Sequence, residues 1–170
     1  WHTAARWAAF LRAAGHQVEV SVHWNGEPAD LMIALHARRS ALSIQTFAAW
    51  QPESPLIVVL TGTDLYRDIR GDADAKKSLE LAHRLVVLQE RGLDELSAEQ
   101  AAKTRVIYQS SPDNPHAQQR DDGFTVLVVG HLREEKDPFR AAQASACLPK
   151  DSRIRILQLC RALSEDMANA

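Results

Sequence analysis

Apolar runs alternate with stretches of helical periodicity over most of the chain. The runs Leu31–Leu35 and Leu56–Leu60 are apolar at every position, which is typical of strands buried on both faces of a parallel sheet. The stretches that follow them, Arg39–Trp50 and Asp74–Ala82, repeat their apolar residues at the helical period. This alternation predicts an α/β domain with a doubly wound parallel sheet.

Further elements are predicted on either side of these runs. Thr3–Ala14 has a helix pattern that Gly15 ends, and Val18–Val22 alternates apolar and polar residues as a strand does. The remaining elements of this block are predicted to be strands at Leu85–Leu88 and Val106–Tyr108 and short helical pieces at Gly92–Lys103. Aromatic residues lie on apolar helix faces and are predicted to be core: Trp7, Phe10, Phe47 and Trp50.

A polar stretch with two prolines and no periodicity interrupts the pattern at 110–123, and we interpret it as a linker. Residues 1–109 then form a first Rossmann-like domain. A new cycle begins at 124, and 124–170 is predicted to be the start of a second Rossmann-like domain. Its elements are a strand at Thr125–Val129, a helix at Pro138–Cys147 and a strand at Ile154–Leu159.

The composition is that of an ordinary globular protein, with 170 residues, of which 45% are hydrophobic and 25% charged. A net charge of −2 gives no overall field that would favour nucleic acid or a membrane surface. No apolar run approaches the roughly 20 residues that a membrane helix needs. Two cysteines, Cys147 and Cys160, are too few for a disulfide scaffold, and we therefore expect a cytoplasmic protein.

Both ends of the chain carry element patterns. Trp1 is followed almost at once by a helix pattern, and the last residues, 163–170, read as the beginning of another helix. We therefore expect the chain to be a piece of a longer protein.

Polar side chains follow the buried strands, where parallel sheets bind ligands. His36, Arg38 and Arg39 come directly after the first apolar run and suit an anion such as phosphate, although exposed arginines with a strand-capping histidine are an equal alternative. After the second run, Thr63 is a candidate ligand-binding hydroxyl. The neighbouring Asp64 is more typical of a helix N-cap than of a catalytic acid.

A third polar stretch, Gly130–Asp137, follows the predicted strand Thr125–Val129. Gly130 lets the backbone approach a phosphate, and Lys136 supplies a mobile positive charge near the next helix, although solvated surface charges are an equal alternative. The stretch lacks the order of a P-loop. The chain also contains no Gly-x-Gly-x-x-Gly and no Gly-x-Ser-x-Gly, so neither a dinucleotide oxidoreductase nor an α/β-hydrolase is favoured.

Two segments resemble the family-4 glycosyltransferases of the GT-B fold. They are Gly15-His-Gln-Val-Glu-Val and Val128-Val-Gly-His-Leu-Arg-Glu-Glu-Lys-Asp-Pro. The resemblance implies that Lys136 and an arginine hold the donor diphosphate beside Gly130. His131 occupies the position of that arginine in this chain, and Arg133 is near enough to take its role.

A closer resemblance is to the bacterial selenosugar synthases of selenoneine biosynthesis, where His131 is a usual residue. The segments that carry it are Leu35-His-Ala-Arg-Arg-Ser, Val59-Leu-Thr-Gly-Thr-Asp-Leu-Tyr, Leu85-Val-Val-Leu-Gln, Arg105-Val-Ile-Tyr-Gln-Ser and Gly130-His-Leu-Arg-Glu-Glu-Lys-Asp-Pro. It implies transfer of an N-acetylhexosamine from a UDP-sugar to selenophosphate. Arg38, Arg39 and Thr63 would then bind this small anionic acceptor.

The resemblance also implies elements outside the chain. A first strand and a glycine-rich loop would precede Trp1, and His2 and Thr3 would leave that loop beside the acceptor. The helix that contacts the ribose and the donor sugar would lie beyond residue 170. We therefore expect the 170-residue chain alone to be inactive.

The implied mechanism is metal-independent and uses no cofactor besides the UDP-sugar substrate. His36 is the first candidate for a general base, whereas an acceptor that is already ionised needs none. Two alternatives stay open: a non-catalytic α/β binding module or remnant, and a UDP-sugar epimerase of the GT-B fold. The oligomeric state is open as well.

Overall fold

A computed structural model of the chain describes residues 2–111, 113, 123–132 and 137–159. The chain divides into two compact units, Trp1–Ser111 and Pro112–Ala170. Each unit is described by itself below. Among the described residues, none of the helices combines the length and the apolar character needed to cross a membrane.

The first unit alternates helices and strands. Its helices are α1 (His2–Ala13), α2 (Ala41–Trp50), α3 (Ile69–Gly71), α4 (Ala73–Leu81) and α5 (Ala98–Ala102). Its strands are β1 (Met32–Leu35), β2 (Leu56–Leu60), β3 (Arg84–Val87) and β4 (Thr104–Val106). A π-helical turn at Asp64–Asp68 leads into α3, and a 3₁₀ helix covers Glu90–Glu95.

The four strands form one parallel sheet in the order β1-β2-β3-β4. Leu35 pairs with Val59, and Val59 pairs with Val86, so the carboxyl ends of the strands meet at one edge. The predicted α/β class with a parallel sheet is confirmed. The described strands follow one another in chain order, without the reversal that a doubly wound sheet contains.

The core lies on one face of this sheet. By strand alternation Ala34, Val58 and Leu85 point to the same side, where they pack in one cluster with Ile44 and Phe47 of α2. Burying a side chain of this size stabilises the fold by about 1.5–3 kcal/mol. The aromatic prediction is right for Phe47, which is fully buried.

Two other aromatic residues do not lie in the core. Phe10 is 54% exposed and Trp50 is 74% exposed, whereas Trp7 is partly buried. Trp50 meets only the edge of Trp24, whose ring packs in turn against Phe47. An apolar residue on a helix is therefore buried only where a strand or another helix packs against it.

The predicted strand Val18–Val22 is wrong, because the segment has no regular secondary structure and pairs with no described strand. Gly15 ends α1 with a φ of +94°, as predicted, and the Val18 carbonyl accepts a hydrogen bond from Arg12. The predicted strand Val106–Tyr108 lies two residues earlier, at Thr104–Val106. The short helical pieces predicted at Gly92–Lys103 are confirmed as the 3₁₀ helix Glu90–Glu95 and α5, which Ser97 starts with a capping box.

The second unit contains β5 (Phe124–Val129), α6 (Arg140–Ser145) and β6 (Ile154–Leu159), and the two strands pair in parallel. Both predicted strands are confirmed. The helix is shorter than the predicted Pro138–Cys147, and it begins beside an ion pair between Asp137 and Arg140. The predicted linker, 110–123, lies mostly outside the described residues.

Lys103 ties the start of β4 to the end of α4. Its ammonium group donates to the carbonyls of Leu79 and Ala82 at 2.8 and 2.6 Å, and burial lowers the pKa of this lysine. These carbonyls have no partner within the helix, since they belong to its last turn. The lysine therefore acts as a helix C-cap supplied from a distant part of the chain.

We predict that Lys103→Met lowers the free energy of unfolding by about 1–3 kcal/mol, because two charge-assisted hydrogen bonds to helix-end carbonyls are lost. The methionine keeps most of the apolar stem. Lys77→Met is the matched control, since Lys77 makes only an exposed ion pair with Glu80 and should cost less than about 0.5 kcal/mol. Urea denaturation of both variants measures the difference. Equal losses in the two variants would contradict the capping role.

Candidate functional site

Two loops meet where β1 and β2 end. His36 follows β1, and its backbone N–H donates to the Val59 carbonyl at 2.9 Å, which extends the ladder by one residue. The loop after β2 begins at Thr61. The residues of both loops that carry the site are called the strand-end cluster: His36, Arg38, Arg39, Thr63, Asp64 and Asp68.

Asp64 joins the two loops. Its side chain is fully buried, and one carboxylate oxygen accepts the Ala37 N–H at 2.9 Å. The other oxygen accepts the N–H groups of Thr61 and Gly62 at 3.0 and 2.9 Å. Three charge-assisted hydrogen bonds compensate for burying this group. The N-cap interpretation of Asp64 is wrong, since the N–H groups it holds precede it in the chain.

His36 has a left-handed backbone, with a φ of +76°, although it is not a glycine. Its side chain is buried, and Nδ1 accepts the Arg39 backbone N–H at 3.3 Å. Because Nδ1 accepts, the ring proton belongs on Nε2, which lies 3.2 Å from Thr63 Oγ1 and donates to it. Strained, non-glycine backbone of this kind is concentrated at functional sites.

Burial is the main cause that lowers the pKa of His36 from its ordinary value of 6.5, and Arg39 and Arg38 lower it further. Asp64 and Asp68 act in the opposite direction. Asp64 lies 3.8 Å from Nδ1, which is too far for a hydrogen bond. His36 is therefore neutral at pH 7, in agreement with its acceptor role at Nδ1.

The two arginines differ in their surroundings. Arg38 Nε lies 3.2 Å from Asp68, a buried carboxylate that also pairs with Arg67 at 3.0 Å. Arg38 is thus held by an ion pair, while its side chain stays 46% exposed. Arg39 is also exposed, and within the described part of the chain its guanidinium group makes no hydrogen bond or ion pair. Arg39 is the better placed of the two to meet an anion.

The start of α2 lies directly after Arg39. Ser40 is the N-cap residue by position, but its hydroxyl donates to the Leu35 carbonyl at 2.7 Å instead of capping the helix. The first turn of α2 therefore keeps N–H groups without a side-chain cap. Helix starts of this kind attract anions through those N–H groups and the helix dipole.

His2 and Thr3 lie at the start of α1, against a different part of the same unit. They line a cavity of about 120 Å³ together with Gln109 and Ser110, which follow β4. Arg6 donates to the Ser110 hydroxyl at 3.0 Å and closes one side of it. His2 and Thr3 thus face a cavity beside the end of β4, whereas Thr63 is brought to His36.

The predicted donor site is only partly described. Gly130 follows β5, and its N–H donates to the Leu159 carbonyl at 3.1 Å, while His131 is exposed. Arg133 and Lys136 lie outside the described residues. The described residues also contain no group of three or more His, Cys, Asp or Glu side chains placed to hold a metal ion.

Sequence reasoning interpreted Asp64 as a helix N-cap and missed Asp68, although both acids organise the cluster. Asp64 and Asp68 are four residues apart, and both are buried. The available signal was an acidic pair at helical spacing directly after an apolar strand, with Leu65 between them. Such a pair can lie on one face of a helical turn and point back into the sheet.

We predict that Asp64→Asn lowers the free energy of unfolding by about 2–4 kcal/mol, because the amide NH₂ would face an N–H donor where an oxygen now accepts. Asp74→Asn is the control. That exposed side chain accepts only from Gln45, and its replacement should stay within about 0.5 kcal/mol. Urea denaturation measures both, and a small loss at Asp64 would contradict its role as the link between the loops.

The lowered pKa of His36 predicts a pH-dependent stability. Below pH 6.5 the unfolded chain binds a proton at His36 that the folded chain resists, so the stability present above 6.5 is lost as the pH falls towards the folded-state pKa. His36→Asn tolerates the left-handed backbone and does not titrate. Its urea midpoint should therefore fall less between pH 7.5 and 5.5 than that of the unaltered chain. The control is His16→Asn, at an exposed histidine, and its urea midpoint should fall as far as that of the unaltered chain. Equal falls in the unaltered chain and in both variants would refute the prediction.

No protein-family model matches the chain, and no curated protein matches it significantly. The function of the strand-end cluster is therefore argued from its residues and their geometry.

Proposed function

We propose that the natural protein containing this chain is a GT-B glycosyltransferase. It transfers a sugar, an N-acetylhexosamine, from a UDP-sugar to a small phosphate-like acceptor, with selenophosphate as the candidate acceptor. The observation that carries the proposal is the exposed Arg39 beside the uncapped start of α2, next to the His36–Thr63 pair. These groups supply a cation, helix-end N–H groups and a hydroxyl at one strand end.

The acceptor would bind at this strand end. Because His36 donates to the Thr63 oxygen, the Thr63 hydroxyl hydrogen is directed to another acceptor, and an anionic oxygen of the substrate fits that role. Arg39 adds positive charge to this site. Arg38 would add a second positive charge if its ion pair with Asp68 opened. His2 and Thr3 stay proposed acceptor contacts from the start of α1.

In the proposed reaction, the acceptor forms a bond to the anomeric carbon of the sugar while the bond to the UDP oxygen breaks. The electron pair of that bond leaves on UDP. Gly130, His131, Arg133 and Lys136 are the proposed donor-diphosphate site, where positive charge would stabilise the leaving group. No metal or further cofactor is proposed.

The geometry favours His36 as a positioning residue for Thr63 over its role as a general base. Its Nδ1 lone pair is occupied by the Arg39 N–H, and its Nε2 carries a proton. A base would need one of these hydrogen bonds to break. An acceptor that is already ionised removes the need for a base altogether.

The remaining proposals concern the fold, the cellular compartment and the partners of the protein. The GT-B architecture, with a doubly wound acceptor-side domain and a second Rossmann-like domain, belongs to the proposed glycosyltransferase. The cytoplasm is the proposed compartment, because UDP-sugars are proposed as its substrates and two cysteines are too few for a disulfide scaffold. Nucleic acid and the membrane are not proposed as partners.

We predict that the natural protein releases UDP from a UDP-N-acetylhexosamine only when selenophosphate is added, in an assay with a panel of UDP-sugars. Arg39→Ala should raise the KM for the acceptor at least tenfold and leave that for the donor unchanged. Arg84→Ala is the matched control, since Arg84 is an exposed arginine at the opposite end of the sheet.

The other outcomes favour the alternatives. Release of UDP without an acceptor indicates the epimerase class, and no release with any UDP-sugar indicates a binding module. An acceptor KM that does not change in Arg39→Ala would refute the acceptor site at the end of β1.

A further inference from the structure

We propose that Asp68 is a positioning residue, which holds Arg38 while the site is empty and releases it to a doubly charged anion at the end of β1. The ligand class is then a tetrahedral oxyanion with two negative charges, such as a phosphate monoester. This inference rests on the proposed acceptor site, but it does not depend on sugar transfer.

The two carboxylate oxygens of Asp68 differ in their contacts. The side chain is only 4% exposed, and Oδ1 accepts a hydrogen bond from Arg67 Nε at 3.0 Å. Oδ2 is closed off from solvent and accepts no hydrogen bond in the described part of the chain, although Arg38 Nε lies 3.2 Å away. A buried oxygen of this kind costs stability, which is a reason to expect a function for it.

Arg38 is the weaker of the two partners of Asp68. Its Nε is close enough to Oδ2 for charge attraction but is not aligned for a hydrogen bond, and its side chain is 46% exposed. An exposed cation gains little from an ion pair of this geometry. When Arg38 leaves, Arg67 still pairs with Asp68, so the buried carboxylate is not left without a cation.

The backbone on both sides of Arg38 is held in place. The Ala37 N–H donates to Asp64, and the Arg39 N–H donates to His36 Nδ1. Both acceptor side chains are buried. A change of partner by Arg38 is therefore a rotation of its side chain, and it needs no rearrangement of the loop.

The charged groups of the site surround the His36 ring. Burial is the main cause that lowers the pKa of His36, Arg39 and Arg38 lower it further, and Asp68 raises it. Charges have such effects at short range, so both arginines lie near this ring. The ring is 3.2 Å from the Thr63 hydroxyl oxygen. An anion that accepts the Thr63 hydroxyl hydrogen is therefore placed near both arginines.

The number of available cations sets the charge of the preferred ligand. While Arg38 pairs with Asp68, Arg39 alone balances a negative charge of the ligand. A dianion carries a second charge, and an arginine binds a phosphate group through aligned, charge-assisted hydrogen bonds that the contact with Asp68 lacks. A dianion therefore attracts Arg38 away from Asp68, whereas a monoanion leaves it there.

Calorimetric titration of the natural protein that contains this chain tests this role, without any UDP-sugar. The probes are methyl phosphate, which is a dianion at pH 8, and dimethyl phosphate, which is a monoanion. The unaltered protein should bind methyl phosphate about tenfold more tightly, and Arg38→Ala should remove most of this difference. Asp68→Asn should bind methyl phosphate about threefold more tightly than the unaltered protein, since the amide no longer attracts the guanidinium group.

The double variant Arg38→Ala/Asp68→Asn distinguishes positioning from the charge of Asp68 itself. The gain from Asp68→Asn should largely disappear when Arg38 is absent, and an equal gain in both backgrounds would overturn the proposal. Asp94→Asn is the control, since Asp94 is exposed and pairs only with Arg91 among the described residues, and it should leave both affinities within about twofold.

Arg38→Ala decides the matter if Asp68→Asn does not fold. An affinity for methyl phosphate that is unchanged in Arg38→Ala, or an equal loss for both probes, would overturn the proposal. Failure of the unaltered protein to bind methyl phosphate would do the same. Tight binding of methyl phosphate that depends on Arg38, without UDP release from any UDP-sugar, would refute the proposed sugar transfer and support the role of Asp68.

Discussion

The buried carboxylate of Asp64 is the constraint on which the strand-end cluster depends. It accepts hydrogen bonds from N–H groups of the loop after β1 and of the loop after β2. One side chain therefore holds together two loops that are far apart in the sequence. A carboxylate at full burial is tolerated only with this number of donors. Holding the Ala37 N–H also fixes the residue before it, His36, in a left-handed conformation that a histidine seldom adopts.

The remaining chemistry of the cluster follows from that conformation. With its backbone turned, His36 presents Nδ1 to the Arg39 N–H and Nε2 to Thr63, and the contact at Nδ1 requires the neutral ring. Both arginines are exposed, but Asp68 pairs with Arg38 and not with Arg39. His36 therefore supplies a buried neutral ring, Arg38 a cation paired with Asp68, and Arg39 a cation without a partner among the described residues.

Sequence patterns predicted the strands and the fold class, which depend on how apolar residues are spaced. They missed the side-chain contacts, which depend on the residue that lies opposite. The fully apolar runs gave the strands β1 and β2 and the parallel α/β class, because an apolar run reports the solvent exposure of its own residues. The ion pair of Arg38, the role of Asp64 and the exposure of Trp50 depend on what lies opposite each side chain, which no local pattern encodes. His36 and Thr63 could be placed at the strand ends, but their mutual hydrogen bond could not.

Val18–Val22 shows the same limit in a strand prediction. Its alternation is a strand pattern, but the segment pairs with no described strand, and a strand needs a ladder of hydrogen bonds as well as a pattern. β1 shows the limit in a different way. All four of its residues are apolar, yet only Ala34 is buried, because β1 lies at the edge of the described sheet and pairs with β2 alone. An apolar run therefore predicts a strand, whereas the burial of that strand depends on its neighbours.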